Sequence, residues 1–148
     1  MMFYTVSGNV LDTDCSIICA PFSSSGIPEG AVSSELMNDK RFCHEIEGCF
    51  FSDAFIGRCF VIKTSTEAGI AVLITNDTHC EQRCSVLIHF LSKAIKEMLL
   101  IANLHCFSVA IPYKMGCEDM QDVDWNIFLK KFEEYMESYP KVTVKVYK

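Results

Sequence analysis

Apolar residues occur along this chain in two patterns, short continuous runs and a helical periodicity, and each pattern predicts one kind of secondary structure. Short runs of apolar and β-branched residues predict strands, because a strand buried on both faces has few polar positions. Six such runs occur, at residues 3–6, 15–20, 57–63, 69–75, 106–111 and 142–147. Five residues separate the third run from the fourth. A linker of this length predicts an antiparallel hairpin.

Two further segments have the spacing of helices. Segment 28–37 opens with Pro28 and Glu29, both of which suit a first helical turn. Thr78 and Glu81 have the spacing of a capping box, which predicts a helix start. The helix that follows presents an apolar face made of Leu87, Phe90, Leu91, Ala94, Ile95, Met98 and Ala102.

A third helix is predicted to begin at Asp124, and it places Trp125 and other aromatic residues on one face, where core packing is the favoured interpretation. Segment 38–52 shows no clear period. The order is therefore β, β, α, irregular, β, β, α, β, α, β. It predicts an α/β fold of three α/β/α layers around a central mixed sheet of about six strands.

Composition narrows the class of protein. The chain has 148 residues, half of them hydrophobic and 22% charged, which predicts one globular domain over residues 1–148. A net charge of −6 without a basic cluster argues against nucleic-acid binding. The most apolar stretch, 85–104, is interrupted by charged residues, so no membrane span is predicted. The nine cysteines lie mostly inside apolar runs, which suits a cytoplasmic protein with reduced thiols.

The cysteines and histidines offer little chemistry by their spacing. His79, Cys80, Cys84 and His89 lie on one predicted helix, but only the two cysteines share a face, and we predict no metal site and no cofactor. Cys106 follows His105 directly, and neighbours in a strand point to opposite faces. Cys106 is therefore predicted to be a core residue.

Residues 111–117, Ile-Pro-Tyr-Lys-Met-Gly-Cys, join a predicted strand to the helix that carries Asp124 and Trp125. Ligands of α/β proteins lie at such strand ends. These residues resemble the last binding loop of macrodomains, the ADP-ribose-binding family, and the turn at 6–11 resembles the family's opening strand and turn. The order of elements is similar to a macrodomain over essentially the whole chain.

The resemblance implies that the chain binds ADP-ribose or a related nucleotide in a crevice at the strand ends. The residues that match the family's binding positions lie in the opening turn, the loop after the second strand, the end of the hairpin and the last loop. They are Asn9, Val10, Ser24, Ser25, Gly26, Gly30, Ala31, Asn76, Tyr113, Met115, Gly116, Cys117 and Glu118. Phe22 and Tyr113 are expected to line the pocket.

Several residues depart from the family's pattern. Asn9 replaces the aspartate that reads the adenine amino group, although an amide oxygen still accepts a hydrogen bond. Pro28 removes one N–H from the phosphate loop and Glu29 adds a negative charge. Segment 118–123 is acidic and lacks the glycines that favour close backbone approach to phosphate. Asn76 stands where a de-ADP-ribosylating branch has lysine.

Two alternatives to plain binding remain open. The first is an enzyme that hydrolyses ADP-ribose 1″-phosphate or ADP-ribosyl esters, with Asp119 as the candidate catalytic base. The second is a degenerate macrodomain that has lost diphosphate binding and acts through a protein partner or a less anionic ligand. A segment 118–123 folded across the crevice, with Pro28 and Glu29 closing its other side, would favour the second alternative.

Overall fold

Six strands form one sheet at the centre of the computed structural model, which describes residues 2–76, 84–117 and 119–148. Strands and helices follow the order β1 (Met2–Val6), β2 (Ile17–Ser23), α1 (Ala31–Asn38), α2 (Cys43–Glu47), β3 (Cys59–Ile62), β4 (Gly69–Asn76), α3 (Cys84–His105), β5 (Ser108–Pro112), α4 (Asp122–Met136) and β6 (Thr143–Tyr147). Short 3₁₀ turns cover Val10–Asp12, Asp53–Phe55 and Tyr113–Gly116.

The sheet has the strand order β1-β6-β5-β2-β4-β3. All neighbouring strands are parallel except β3, which is antiparallel to β4. The predicted α/β fold with a mixed sheet of six strands is therefore confirmed, and so is the antiparallel hairpin. Because five strands run in one direction, their carboxyl ends lie at the same edge of the sheet, and the loops that follow β1, β2, β4 and β5 leave it there.

Two apolar cores cover the two faces of the sheet. In β2, Ile17 and Cys19 face the layer formed by α3 and α4, whereas Ile18, Ala20 and Phe22 face the layer formed by α1 and α2. Alternate residues of a strand point to opposite faces, so a central strand buried on both sides must be apolar throughout. Every residue of β2 is buried accordingly. The structure has the predicted three layers.

Several boundaries differ from the sequence expectations. Helix α1 begins at Ala31, and Pro28 lies before it in an isolated bridge to Phe22. Strand β2 continues through Pro21 to Ser23, beyond the predicted end at residue 20. The carbonyl oxygen of Pro21 accepts hydrogen bonds from Glu29, in the loop before α1, and from Ser33, in α1. In a strand, the nitrogen and the carbonyl oxygen of one residue point to the same side. The nitrogen of Pro21 therefore faces this loop and not a neighbouring strand, so the missing N–H breaks no hydrogen bond of the sheet.

Helix α4 begins two residues before the predicted start, and the segment without a clear period contains the short helix α2. The predicted capping box at Thr78 and Glu81 lies outside the described residues. Within residues 2–76, 84–117 and 119–148, none of the helices combines the length and the apolar character that crossing a bilayer requires.

Several cysteines are buried thiols of the core. Cys15, Cys19 and Cys59 are free and buried, and burial raises the pKa of Cys19 and of Cys59 because the thiolate would lose its hydration. The thiols of Cys19 and Cys59 therefore stay protonated and behave as small apolar side chains.

Cys106, predicted as a core residue, is instead exposed. It follows α3 with a φ of 57°, and the N–H of Phe107 donates to the carbonyl of Ala102 at 2.9 Å. This bond and the left-handed residue define a Schellman end, where glycine is the usual occupant. The expectation was wrong because strand β5 begins only at Ser108.

Replacing Cys106 by glycine should stabilise the protein by about 0.5–1 kcal/mol, because glycine adopts the left-handed conformation without a Cβ clash. The change is measured by urea denaturation under reducing conditions. Cys106→Ala is the matched control, since it removes the thiol but keeps the Cβ, and it should leave the unfolding free energy nearly unchanged. Equal stability of the glycine and alanine variants would show that the left-handed conformation of residue 106 does not strain the protein.

Candidate ligand-binding crevice

A cleft opens at the carboxyl edge of the sheet because β2 and β5 separate there. The two strands pair only at Ile17 with Val109 and at Ile18 with Ala110. Beyond these pairs, β2 remains paired with β4, and β5 remains paired with β6. The loops that follow β2 and β5 therefore enter the gap between them. Such a divergence at the strand ends is where α/β proteins place their ligands.

One pocket of about 320 Å³ lies where β1, β5 and β6 end. We call it the Asn9 pocket. The parallel register aligns Val6, Tyr147 and Pro112 across the three strands, which brings the turn after β1 beside the loop after β5. Its lining is Gly8, Asn9, Val10, Val32, Glu35, Pro112, Tyr113 and Tyr147.

Asn9 caps the 3₁₀ turn that forms one wall of this pocket. Its side-chain oxygen accepts a hydrogen bond from the N–H of Leu11 at 3.0 Å, which fixes which end of the amide is oxygen. The turn is anchored below by Val10 and Leu11, both buried in the core on the α1 side. Asn9 itself is exposed, so its amide can meet a ligand while it holds the turn.

A second pocket of about 360 Å³ adjoins the first at Tyr113. We call it the Lys114 pocket. It is lined by Ala31, Tyr113, Lys114, Gly116 and Cys117. Ala31 is the first residue of α1, whose N-cap Gly30 provides no side-chain cap and whose first turn carries no acidic residue. The first N–H groups of a helix have no partner within it, so this wall offers donors to an anion.

The turn between the two pockets has an unusual backbone. Lys114 and Met115 both adopt the left-handed conformation, with φ values of 52° and 56°, and Gly116 follows at 75°. Met115 is 0% exposed and packs into the core on the α3 side, which holds the turn in place. Strained conformations of this kind occur at ligand sites, where the surrounding fold compensates them.

Two ammonium groups lie close to Tyr113. The Nζ of Lys148 is 4.9 Å from the centre of its ring, and that of Lys114 is 5.6 Å from it. Lys114 also donates to Asp122 at 2.7 Å, and this hydrogen bond raises the pKa of Lys114 and lowers that of Asp122. Lys114 is thus charged at physiological pH, but a carboxylate already shares its charge.

The Lys114 pocket is bounded at Gly116 by a contact between the two loops. A Cβ placed on Gly30, whose φ is 89°, would lie 2.3 Å from the carbonyl oxygen of Gly116. A Cβ on Gly116 would in turn lie 3.0 Å from the Cβ of Val32. Glycine is required at Gly30 because a Cβ there would overlap the backbone of Gly116, and it is favoured at Gly116 because the φ of 75° is left-handed and Val32 is close.

Glu29 and Asn76 meet behind this contact. The Nδ2 of Asn76 donates to the Oε1 of Glu29 at 2.8 Å, and its Oδ1 accepts from the hydroxyl of Thr75 at the same distance. Asn76 is only 2% exposed. The loop backbone is fixed as well, since the N–H of Glu29 donates to the carbonyl of Pro21.

Ser24, Ser25 and Gly26 lie away from both pockets described above. Ser24 is buried, and its hydroxyl donates to the carboxylate of Asp53. Ser25 is exposed, and Gly26 packs against the ring of Phe51. Ser24 and Gly26 thus contact residues that follow α2. The predicted role of all three residues in ligand binding stays a prediction.

The last loop is tied down towards α4. Met120 is buried in the core on the α3 side, and Trp125 packs edge-on against Tyr113 with ring centres 5.6 Å apart. Asp119, the candidate base, is exposed. Hydrolysis through Asp119 therefore stays a hypothesis, and Glu118 lies outside the described residues.

The structure also corrects one expectation and adds residues that sequence reasoning missed. Phe22, expected to line the pocket, is fully buried beneath α1 and α2. Gly8, Val32, Glu35, Lys114 and Tyr147 line the crevice without having been singled out as ligand-binding residues. Tyr147 was recognisable as the end of the last strand, but its neighbours follow only from the parallel register. Among the described residues, no group of three or more His, Cys, Asp or Glu side chains could hold a metal ion.

Comparison with solved structures identifies the architecture as a macrodomain fold. The chain resembles the macrodomain of Thermus aquaticus DarG, with a TM-score of 0.72 and 18% identity over 99% of this chain and 98% of the other. It also resembles the macrodomain of Mycobacterium tuberculosis DarG, with a TM-score of 0.72 and 14% identity over 99% and 97% of the two chains.

A third similar structure is the Trypanosoma brucei macrodomain in complex with ADP-ribose, with a TM-score of 0.70 and 13% identity over 98% of this chain and 62% of the other. The same protein was solved in complex with ADP. No model of a protein family matches the sequence, and no curated protein matches it either.

Replacing Gly30 by alanine should destabilise the protein, because the new Cβ would overlap the carbonyl of Gly116. Gly8→Ala is the matched control: Gly8 also has a positive φ, of 130°, but a Cβ placed on it would have nothing within 4 Å. We expect Gly30→Ala to lose about 1–3 kcal/mol more unfolding free energy than Gly8→Ala in urea denaturation. Equal losses would show that the two loops do not touch in solution.

Proposed function

We propose that this protein binds ADP-ribose or a related nucleotide in the crevice, with the base in the Asn9 pocket and a phosphate in the Lys114 pocket. The observation that carries the proposal is the meeting of these two pockets at Tyr113, at the carboxyl edge of the sheet. Each pocket is near the lower end of the range of about 300–1,000 Å³ that is usual for small-molecule sites. The complexes of the Trypanosoma brucei macrodomain with ADP-ribose and ADP support a ligand of this class.

The chemistry of each pocket matches one part of a nucleotide. The Asn9 pocket combines an amide and the aromatic rings of Tyr113 and Tyr147, which suit a planar base with polar edges. The Lys114 pocket combines the start of α1 with an ammonium group, which suits a phosphate. The anion is thus held locally, although the chain carries a net charge of −6.

Isothermal titration calorimetry with ADP and with ADP-ribose tests the proposal. We expect at least one of them to bind with a Kd below about 1 mM, which corresponds to roughly −4 kcal/mol. Amide chemical shifts recorded by NMR in the same titration should change at Val10, Ala31 and Tyr113. The absence of both heat and shift changes at millimolar ligand, in a folded sample, would overturn the proposal.

Replacing Asn9 by aspartate should tighten binding of an adenine nucleotide. One carboxylate oxygen can still cap Leu11, while the other accepts from the adenine amino group in a charge-assisted bond. We expect about a fivefold lower Kd for ADP, or roughly 1 kcal/mol.

Inosine diphosphate is the matched ligand for this variant, because it presents a carbonyl where adenine has its amino group. The same variant should bind it more weakly than the wild type does. If both nucleotides respond equally to Asn9→Asp, the base does not lie against residue 9.

Replacing Asp122 by asparagine should strengthen phosphate binding, because Lys114 would no longer share its charge with a carboxylate. We expect a Kd for ADP lower by roughly twofold to fivefold, with the gain shrinking as salt is added. Asp124→Asn is the control, because Asp124 lies in the same first turn of α4 and its substitution removes the same formal charge. An equal gain in both variants would indicate a general charge effect and would argue against a phosphate beside Lys114.

A further inference from the structure

We propose that Glu29 closes the far end of the crevice, so that the ligand is a nucleotide ending at its phosphates and not one with a second sugar beyond them. This inference rests on the proposed function, because it takes the base to lie in the Asn9 pocket. It narrows the ligand from the whole class of ADP-ribose-related molecules to nucleoside mono- and diphosphates. Glu29 is then the residue that determines specificity.

The first support is the direction in which the crevice runs. A ligand whose base lies against Asn9 and whose phosphate lies beside Ala31 and Lys114 has used both pockets. Extending it between the two loops leads to the contact of Gly30 with Gly116. The distance of 2.3 Å from a Cβ on Gly30 to the carbonyl oxygen of Gly116 leaves no gap for a sugar ring.

The second support is that the side-chain amide of Asn76 already has hydrogen-bond partners within the protein. Asn76 ends a strand beside the cleft, where its amide could meet a ligand hydroxyl. Its Nδ2 instead donates to Glu29, and its Oδ1 accepts from Thr75. Because Asn76 is buried, a sugar would have to replace these bonds with equally good ones to bind there.

The third support is charge. The carboxylate of Glu29 belongs to the loop that leads into α1, whose first turn has no acidic residue of its own. It repels a further phosphate placed beyond the Lys114 pocket. The backbone around Glu29 is held by its N–H bond to Pro21, and the Sγ of Cys117 lies 3.9 Å from its carbonyl oxygen. Opening the cleft requires movement of both loops, and the bond between the side chains of Glu29 and Asn76 is one of the contacts that oppose this movement.

The test compares ADP with ADP-ribose on the wild-type protein by calorimetry and by NMR titration. We expect ADP to bind at least about tenfold more tightly than ADP-ribose. Similar affinities, or tighter binding of ADP-ribose, would overturn the proposal that Glu29 closes the far end of the crevice, while leaving the proposed function intact. If neither nucleotide binds to folded protein, the proposed function fails and the closure fails with it.

Three variants test whether Glu29 causes the expected preference for ADP over ADP-ribose. Glu29→Ala should bring the two affinities to within about threefold of each other, mainly by improving ADP-ribose binding. Glu29→Gln keeps the volume and an oxygen that accepts from Asn76, so it should keep the wild-type preference. Glu47→Ala, at the exposed end of α2, is the control for loss of a carboxylate and should also keep it.

Two results with these variants would contradict the closure. One is a Glu29→Ala protein that is folded by circular dichroism and still prefers ADP as strongly as the wild type. The other is a Glu29→Gln protein that accepts ADP-ribose as readily as the alanine variant does. If Glu29→Ala does not fold, the comparison of the two ligands on the wild type decides the question.

Discussion

The crevice of this protein depends on one constraint, the separation of β2 from β5 after only two paired residues in each strand. Strands that stayed paired to their ends would leave no room for loops between them. The separation is possible because each strand keeps its other neighbour, β4 or β6, and because Glu29 before α1 and Ser33 within α1 donate hydrogen bonds to the carbonyl of Pro21. A proline, which lacks an N–H, is tolerated at such a position.

The two loops that enter this gap determine what the crevice can hold. Near β1 and β6 they stay apart and leave the two pockets that share Tyr113. At Gly30 and Gly116 they touch each other, backbone against backbone, and the neighbouring Glu29 is bonded to Asn76 at the end of β4. The macrodomain fold is thus combined with a crevice that is open beside Asn9 and closed where Gly30 meets Gly116, and fold alone does not determine function.

Sequence reasoning succeeded where local pattern controls structure. The continuous apolar runs of β2 and β4 and the aromatic face of α4 are properties of neighbouring residues, and all three are buried as expected. It failed at Cys106, because the first residue after a helix and the first residue of a strand look alike in an apolar segment. It also failed at Phe22, whose place at a strand end suggested a pocket although its side chain points into the core.

The sequence by itself determined the α/β class, the hairpin, the faces of the elements and the resemblance to macrodomains, because periodicity and short motifs carry that information. Only the tertiary structure decided how the matching loop residues divide between open pockets and closed contacts. Glu29 and Asn76 are 47 residues apart in the chain, and their meeting depends on how far two non-adjacent loops approach each other. The sequence shows that residue 29 carries a carboxylate and residue 76 an amide. Only the packing of the whole sheet decides whether these two side chains face a ligand or each other.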